Sequence, residues 1–283
     1  MLRRELRSSA AGLNRLPFCF GLLATILFCV GCNREAAESN RVAAPTVPGE
    51  LQQERESLVA ESWVSKSKTQ WPQIVLTNEA EFEGNRSLRG ASGFLIQTRD
   101  ERVLAATAAH LIGPAGGVEP EIAVNELTSK LRFWKMFPRT RPTDSVSITS
   151  LGAPGLDDPN LDWLLLSVSQ RDQLPAQPLR LREEPVRVGE TVFLLGCPYV
   201  ESDCQQNVYR GRVTERAYGD RFRYDIEPAV DIRGFSGAPI IDEKGYLVGV
   251  MTVWFDPKMD GDNYLEAGGE DVASIYDAVE REK

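Results

Sequence analysis

From about Trp71 onward the chain is written in short apolar runs, each closed off by Gly, Pro, Asn or Asp. This cadence restricts the fold more than any other feature of the sequence. The runs are IVL at 74–76, GFLI at 93–96, VLAATAAHLI at 103–112, LDWLLLSV at 161–168, ETVFLLG at 190–196, APIID at 238–242 and YLVGVMTVWF at 246–255. Short strands at roughly even spacing, without helical segments between them, predict an all-β barrel or sandwich. The stretch that carries them, residues 70–283, suits one domain of two small barrels. Only at the end does the period change. Val272, Ile275, Tyr276 and Val279 fall at i, i+3, i+4 and i+7, which predicts a C-terminal helix within Gly269–Lys283.

The first 69 residues read differently. Arg3, Arg4, Arg7 and Arg15 precede an apolar run from Leu16 to Val30, a charged n-region before an h-region too short to span a bilayer comfortably. The run ends Cys29-Val30-Gly31-Cys32, which resembles a bacterial lipobox with Cys29 in place of the usual Leu and Cys32 as the lipidated residue. Residues 1–32 are therefore expected to be a lipoprotein signal peptide, with an uncleaved signal anchor as the other reading. Either way the rest is exported and held at a membrane. Asn33 is not the Asp associated with inner-membrane retention, which favours the outer membrane in a Gram-negative cell. Residues 33–69 form the expected tether, poor in large apolar groups at first, with Leu51, Leu58, Val59 and Trp63 spaced for a possible short helix. Cys197 and Cys204 are the two cysteines beyond the leader. They are seven apart and are candidates for a disulfide outside the cytoplasm.

A net charge of −9 argues against nucleic acid as a main partner, since phosphate binding needs a clustered basic face. The one basic cluster beyond the leader, KLRFWKMFPRTR from Lys130 to Arg141, is expected to be a solvated strand and loop with Trp134 and Phe137 turned to the core.

Three residues carry candidate chemistry. His110 is the sole histidine, at the end of a strand-like run after Thr107-Ala108-Ala109, and imidazole exchanges a proton near neutral pH. Ser236 lies in Gly234-Phe235-Ser236-Gly237-Ala238-Pro239, where glycines permit a tight turn with N–H groups aimed at a developing oxyanion. Asp162 opens the apolar run Trp163-Leu164-Leu165-Leu166, where a carboxylate needs a partner. Asp157 and Asp158 compete for that role from a neighbouring turn. Cys197 as nucleophile is a lesser alternative, without the glycine-flanked turn. One histidine and no Cys/His cluster imply neither metal nor cofactor.

The order TAAH, then DWLLL, then GFSGAP resembles the trypsin-like, chymotrypsin-fold peptidases of the bacterial HtrA-related type, over roughly residues 70–268. Ala91-Ser92-Gly93-Phe94, Gly196-Cys197-Pro198, Gly211-Arg212-Val213 and Gly245–Val250 are similar to further elements of that family. The resemblance implies two β-barrels, a Ser236–His110–Asp162 triad, and an oxyanion hole from the N–H groups of Gly234 and Ser236. It implies a protein or peptide substrate laid as a strand beside Thr252-Val253-Trp254, with Val230 at the pocket floor and Val253 or Trp254 as a wall. Cleavage is expected after a small or medium apolar residue, because only Asp231 offers an acid nearby. Phe235 stands where the digestive enzymes have an acid that pairs with a new N-terminus, so activation by that route is not expected, and neither is regulation through a PDZ module. The other readings are a catalytically silent module of the same fold that binds a protein partner at the envelope, and an exported solute-binding lipoprotein, which the short-strand pattern disfavours. The sequence leaves the oligomeric state open.

Overall fold

The computed structural model describes residues 63–152, 161–169, 173–217, 220–255 and 265–280. The expected leader with Cys32, most of the tether with its possible helix, and the competitors Asp157 and Asp158 lie outside these residues. The described end of the tether segment forms single 3-10 turns at Trp63–Ser65 and Lys68–Gln70, and the rings of Trp63 and Trp71 meet edge to face at 6.4 Å.

Alternation along β1 (Leu76–Phe82) shows why these runs fold as strands. Leu76, Asn78, Ala80 and Phe82 point inward and Thr77, Glu79 and Glu81 outward, the period of two that a half-buried strand requires. β1 closes a barrel with β2 (Arg86–Gln97), β3 (Val103–Thr107), β4 (Leu131–Phe137), β5 (Val146–Leu151) and β6 (Leu164–Val168). All neighbours are antiparallel, and the order around the barrel is β1-β2-β3-β6-β5-β4. A two-residue strand, β7 (Leu179–Arg180), pairs parallel with β2 and leads on to the second barrel. That barrel comprises β8 (Thr191–Gly196), β9 (Asn207–Ala217), β10 (Arg221–Ile226), β11 (Pro239–Ile241), β12 (Leu247–Phe255) and β13 (Leu265–Asp271), closed as β8-β9-β10-β13-β12-β11. The two barrels thus repeat one topology, that of the chymotrypsin-like fold.

The unbroken apolar run at Trp163–Leu166 follows from this packing. Leu164 and Leu166 fill the first barrel, while Trp163 and Leu165 face the seam between barrels. Both faces of β6 are buried, so no polar alternation survives in its sequence. Phe94, Ile96 and Ala106 join the seam from barrel one, Leu195, Ile241, Leu247 and Val250 from barrel two. Each large side chain so buried contributes on the order of 1.5–3 kcal/mol.

The basic stretch runs along β4. Trp134 turns inward against Phe82, with centroids 6.0 Å apart, and its indole N–H donates to Asn78 Oδ1 at 3.1 Å. Phe137, expected in the core, is instead half-buried at the surface under Lys135, whose Nζ lies 5.2 Å from the ring centre. The C-terminal helix, Val272–Glu280, begins three residues later than the start of the segment that predicts it, because Gly269, Glu270 and Asp271 complete β13. Asp271 caps it, accepting the Ala273 N–H at 3.0 Å, and Val272, Ile275 and Val279 pack into the seam.

Candidate active site

Strand pairing places the first two candidates together. β3 and β6 run antiparallel with Thr107 opposite Leu164, so the chain leaving β3 and the chain entering β6 share one end of the barrel. His110 follows Thr107 by three residues and Asp162 precedes Leu164 by two. His110 sits on a 3-10 turn, Ala109–Ile112, rather than on the strand itself, since β3 stops at Thr107. His110 Nδ1 lies 2.7 Å from Asp162 Oδ2, and the His110 backbone N–H donates to Asp162 Oδ1 at 2.9 Å. One carboxylate therefore grips both ring and backbone of the same residue. That grip favours the tautomer with its proton on Nδ1 and leaves Nε2 as the free base. The two side chains are 27 % and 22 % exposed, within reach of an incoming molecule.

Ser236 is presented by two successive tight turns. The Phe235 N–H donates to Ile232 O at 3.1 Å, and the Ala238 N–H to Phe235 O at 2.7 Å. Gly234 (φ +96°) and Gly237 (φ +80°) occupy the third position of each, where positive φ is required. Ser236 thus stands second in the second turn. The N–H groups of Phe235, Gly237 and Ala238 all have backbone acceptors, whereas those of Gly234 and Ser236 have none among the described residues. Two free donors flank the hydroxyl, two residues apart.

The serine turn belongs to barrel two but is clamped to barrel one. The Ser92 N–H donates to Ser236 O at 2.9 Å, and Ser92 Oγ to Gly234 O at 2.9 Å. Thr107 Oγ1 in turn donates to Ser92 O at 2.6 Å. Gly237 lies so close that an added Cβ would sit 2.3 Å from Ser92 O and 2.8 Å from the N of Ala108, two residues before His110. A register shift in the pairing of β1 with β2 leaves Ala91 at φ +54° and aims Ser92 at the turn. No hydrogen bond joins the Ser236 hydroxyl to the imidazole here; backbone contacts bring their segments together.

Phe235 replaces an ionic anchor with an apolar one. Its ring is fully buried in barrel two, edge to face with Tyr209 at 5.5 Å, and a Cβ at Gly196 would overlap it at 2.4 Å. A disulfide joins Cys197 to Cys204, with Cα atoms 5.8 Å apart, so Cys197 carries no free thiol. Within its loop the Tyr199 N–H donates to Arg233 O at 2.9 Å, beside the Gly234 turn. Arg139 reaches from beyond β4 to the carbonyls of Pro198 and Tyr199. A small cavity of about 60 Å³ opens between this loop and β2, lined by Gly90, Ser92, Arg139, Cys197, Tyr199 and Gly234.

Val230 is half-buried against the core of barrel two. Asp231 is held by Arg233, whose hydrogen bonds keep its carboxyl below the usual range. Thr252 is buried, and Val253 and Trp254 continue β12 past Val250, the last residue that β11 pairs with, so Thr252–Phe255 has β13 on one edge and no described strand on the other. Ser92 was read only as part of a family element and Thr107 only as a neighbour of His110, without a role for either side chain. The part of Ser92 depends on a contact with Gly234, 142 positions away, and Thr107 acts through Ser92.

Residues 91–250 match the family model of the trypsin-like peptidase domain. Kallikrein-related peptidase 10 superposes with a TM-score of 0.50 at 14 % identity, over 75 % of this chain and 97 % of that one, a likeness of fold. The Rv3671c protease from M. tuberculosis, in its active form, gives a TM-score of 0.47 at 18 % identity, over 88 % of this chain and 95 % of that one. No curated protein matches the sequence.

Proposed function

The chain belongs to the trypsin-like peptidase family, and from that premise we propose that it is a serine endopeptidase working through an acyl-enzyme at the cell envelope. The observation that carries this reading is the gripped His110–Asp162 pair beside a serine turn with two free N–H groups. Ser236 Oγ attacks the scissile carbonyl carbon as its proton passes to His110 Nε2. The oxyanion accepts from the N–H groups of Gly234 and Ser236. The imidazolium, held by Asp162, returns the proton to the amine nitrogen as the C–N bond breaks. Water then repeats the sequence on the ester, releasing the acid and restoring Ser236.

The substrate lies as an added strand on the open edge of Thr252–Phe255, with the residue before the scissile bond directed to Val230 and walled by Val253 or Trp254. Asp231, the acid next to Val230, is already engaged by Arg233, which supports cleavage after small or medium apolar residues. The buried Phe235 supports a site formed without N-terminal processing. Export and attachment through a lipid on Cys32 complete the proposal; no helix among the described residues is long and apolar enough to cross a membrane.

Digestion of a peptide library by the full-length chain, read by mass spectrometry, tests the specificity. Cleavage after Ala, Val or Leu is expected, and a profile dominated by Arg or Lys overturns it. The silent-module alternative draws on one observation, the unformed Ser236–His110 hydrogen bond. Catalytic hydrogen bonds are commonly long or misaligned without substrate and tighten in the complex, so the active reading stands as the better one.

A further inference from the structure

The N–H of Gly234, one of the two free donors beside Ser236, belongs to the same planar unit as the carbonyl of Arg233. That peptide is trans, so the two groups point in opposite directions and turn together. The turn around it runs from Ile232 to Phe235 and is closed by the Phe235 N–H on Ile232 O. Gly234 has φ +96° and Arg233 a negative φ, which makes the turn type II with Arg233–Gly234 as its central peptide. Rotating that one peptide by about 180° gives a type I turn with the same closing hydrogen bond. Glycine accepts either sign of φ, so it does not choose between the two.

The neighbouring peptides are fixed. The Arg233 N–H donates to Asp231 Oδ1 at 3.1 Å, and Gly234 O accepts from Ser92 Oγ at 2.9 Å. Among the described residues the central peptide has one hydrogen bond, from the Tyr199 N–H to Arg233 O at 2.9 Å. The Tyr199 loop rests directly on the turn, since a Cβ added to Gly234 would stand 3.1 Å from Tyr199 N. The loop is itself anchored. Its ends are joined by the disulfide, and Gln206, just beyond it, accepts from the N–H groups of Ile74 and Val75 at 2.9 Å each. Arg139, from beyond β4 in barrel one, donates to Pro198 O at 3.3 Å and to Tyr199 O at 3.1 Å. Pro198 O and the Tyr199 N–H are again one trans peptide. A chain of donors therefore runs from the guanidinium through peptide 198–199 to peptide 233–234, and ends on the Gly234 N–H. A cation at its head polarises the chain in the sense that strengthens the last donor.

We propose that Arg139 is a positioning residue for the oxyanion hole: through the Pro198–Tyr199 peptide it holds the Arg233–Gly234 peptide with its N–H, not its carbonyl, toward the oxyanion. The idea rests on reading the Gly234 N–H as an oxyanion donor. In the other orientation Arg233 O faces the site, an acceptor where negative charge develops, and one of the two donors is lost.

The orientation is readable without turnover. Arg precedes Gly only at 89–90, 210–211 and 233–234. A full-length chain in detergent with 13C-carbonyl arginine and 15N-glycine therefore gives three amide correlations, of which R233K removes the last. In R139A the 233–234 correlation is expected to move or double, while 210–211, on β9, stays in place and reports an intact fold. Y199P removes the N–H donor and should move the same correlation, whereas Y199A keeps that N–H and should not. With acetyl-Ala-Ala-Ala p-nitroanilide as substrate, R139A is expected to lower kcat by about 10²-fold and to leave KM within about twofold, since the donor acts on the transition state. If R139A does not fold, R139K, which lacks the planar fork that spans both carbonyls, is read in its place. A 233–234 correlation unmoved in the folded variant, or moved equally by Y199A and Y199P, overturns the proposal. So does a loss carried by KM rather than kcat. A wild type that shows the expected NMR pattern but neither cleaves the anilide nor takes a fluorophosphonate overturns the peptidase reading alone, and leaves the hold of Arg139 on the turn standing.

Discussion

At the scale of single residues, the site depends on close approaches that few side chains tolerate. Gly237 combines a positive φ with a backbone contact that leaves no room for a methyl group. Gly237→Ala is expected to cost about 2–3 kcal/mol in strain, and to slow acylation by 10²-fold or more because Ser236 moves with it; thermal unfolding and the rate of active-site labelling measure the two effects. Asp162→Asn should leave the fold intact and lower kcat by about 10⁴-fold, since the amide can hold the ring in the wrong tautomer. Kinetics on a cleaved peptide check this, and a loss below tenfold would remove Asp162 from the mechanism. Ser236 and His110 were legible in the sequence because the chemistry calls for uncommon residues in distinctive settings. Asp162 was legible from its place before a buried strand. The clamp that Ser92 forms was not, because it arises from a contact across 142 positions to Gly234.

At the scale of elements, two braces hold the serine turn from below and beside. Phe235 anchors it to the core of barrel two, and the Cys197–Cys204 loop is tied to Arg233. Phe235→Ala is expected to destabilise by about 3–5 kcal/mol, as a large buried ring leaves a cavity. Replacing both cysteines by serine should cost about 2.5 kcal/mol, the chain-entropy value for so short a loop. Urea midpoints measure both. The strands themselves were unevenly legible. β6, β8 and β12 announce themselves as apolar runs because the seam and the barrel bury both of their faces. β9 hides because its NVYRGRVTERA carries charges on its exposed positions and buries only Gly211 and Val213. β13 hides for a related reason: glycines and acids fill the part that faces β10 and β12, and those acids, Glu270 and Asp271, bind arginines rather than the core.

At the scale of the whole molecule, the repeated barrel topology sets a division of labour. In the proposed mechanism barrel one supplies the base and its carboxylate and barrel two the nucleophile and the two free N–H groups, while the seam with the C-terminal helix packs the barrels together. Global stability should carry the signature of the buried acids. Glu270 has a folded-state value of about 7 against an ordinary 4.5, so its contribution is complete below pH 4.5 and is lost as pH rises through 7. The loss is about 3 kcal/mol. Burial also raises Asp271, which adds in the same sense. Glu79, lowered first by its hydrogen bond from Lys135, acts oppositely and only as pH falls below 4.5. Denaturant unfolding between pH 4.5 and 8 should therefore show falling stability, with a flatter slope in E270Q; a wild-type slope of zero contradicts the burial of that charge. The central claim, that Ser236 is a nucleophile activated by His110, has a direct measurement: labelling of the folded full-length chain with a fluorophosphonate, read by intact mass. One adduct on Ser236, absent in Ser236→Ala and slowed by orders of magnitude in His110→Ala, is the result expected. Folded protein that takes no label, or label that persists in Ser236→Ala, would contradict it.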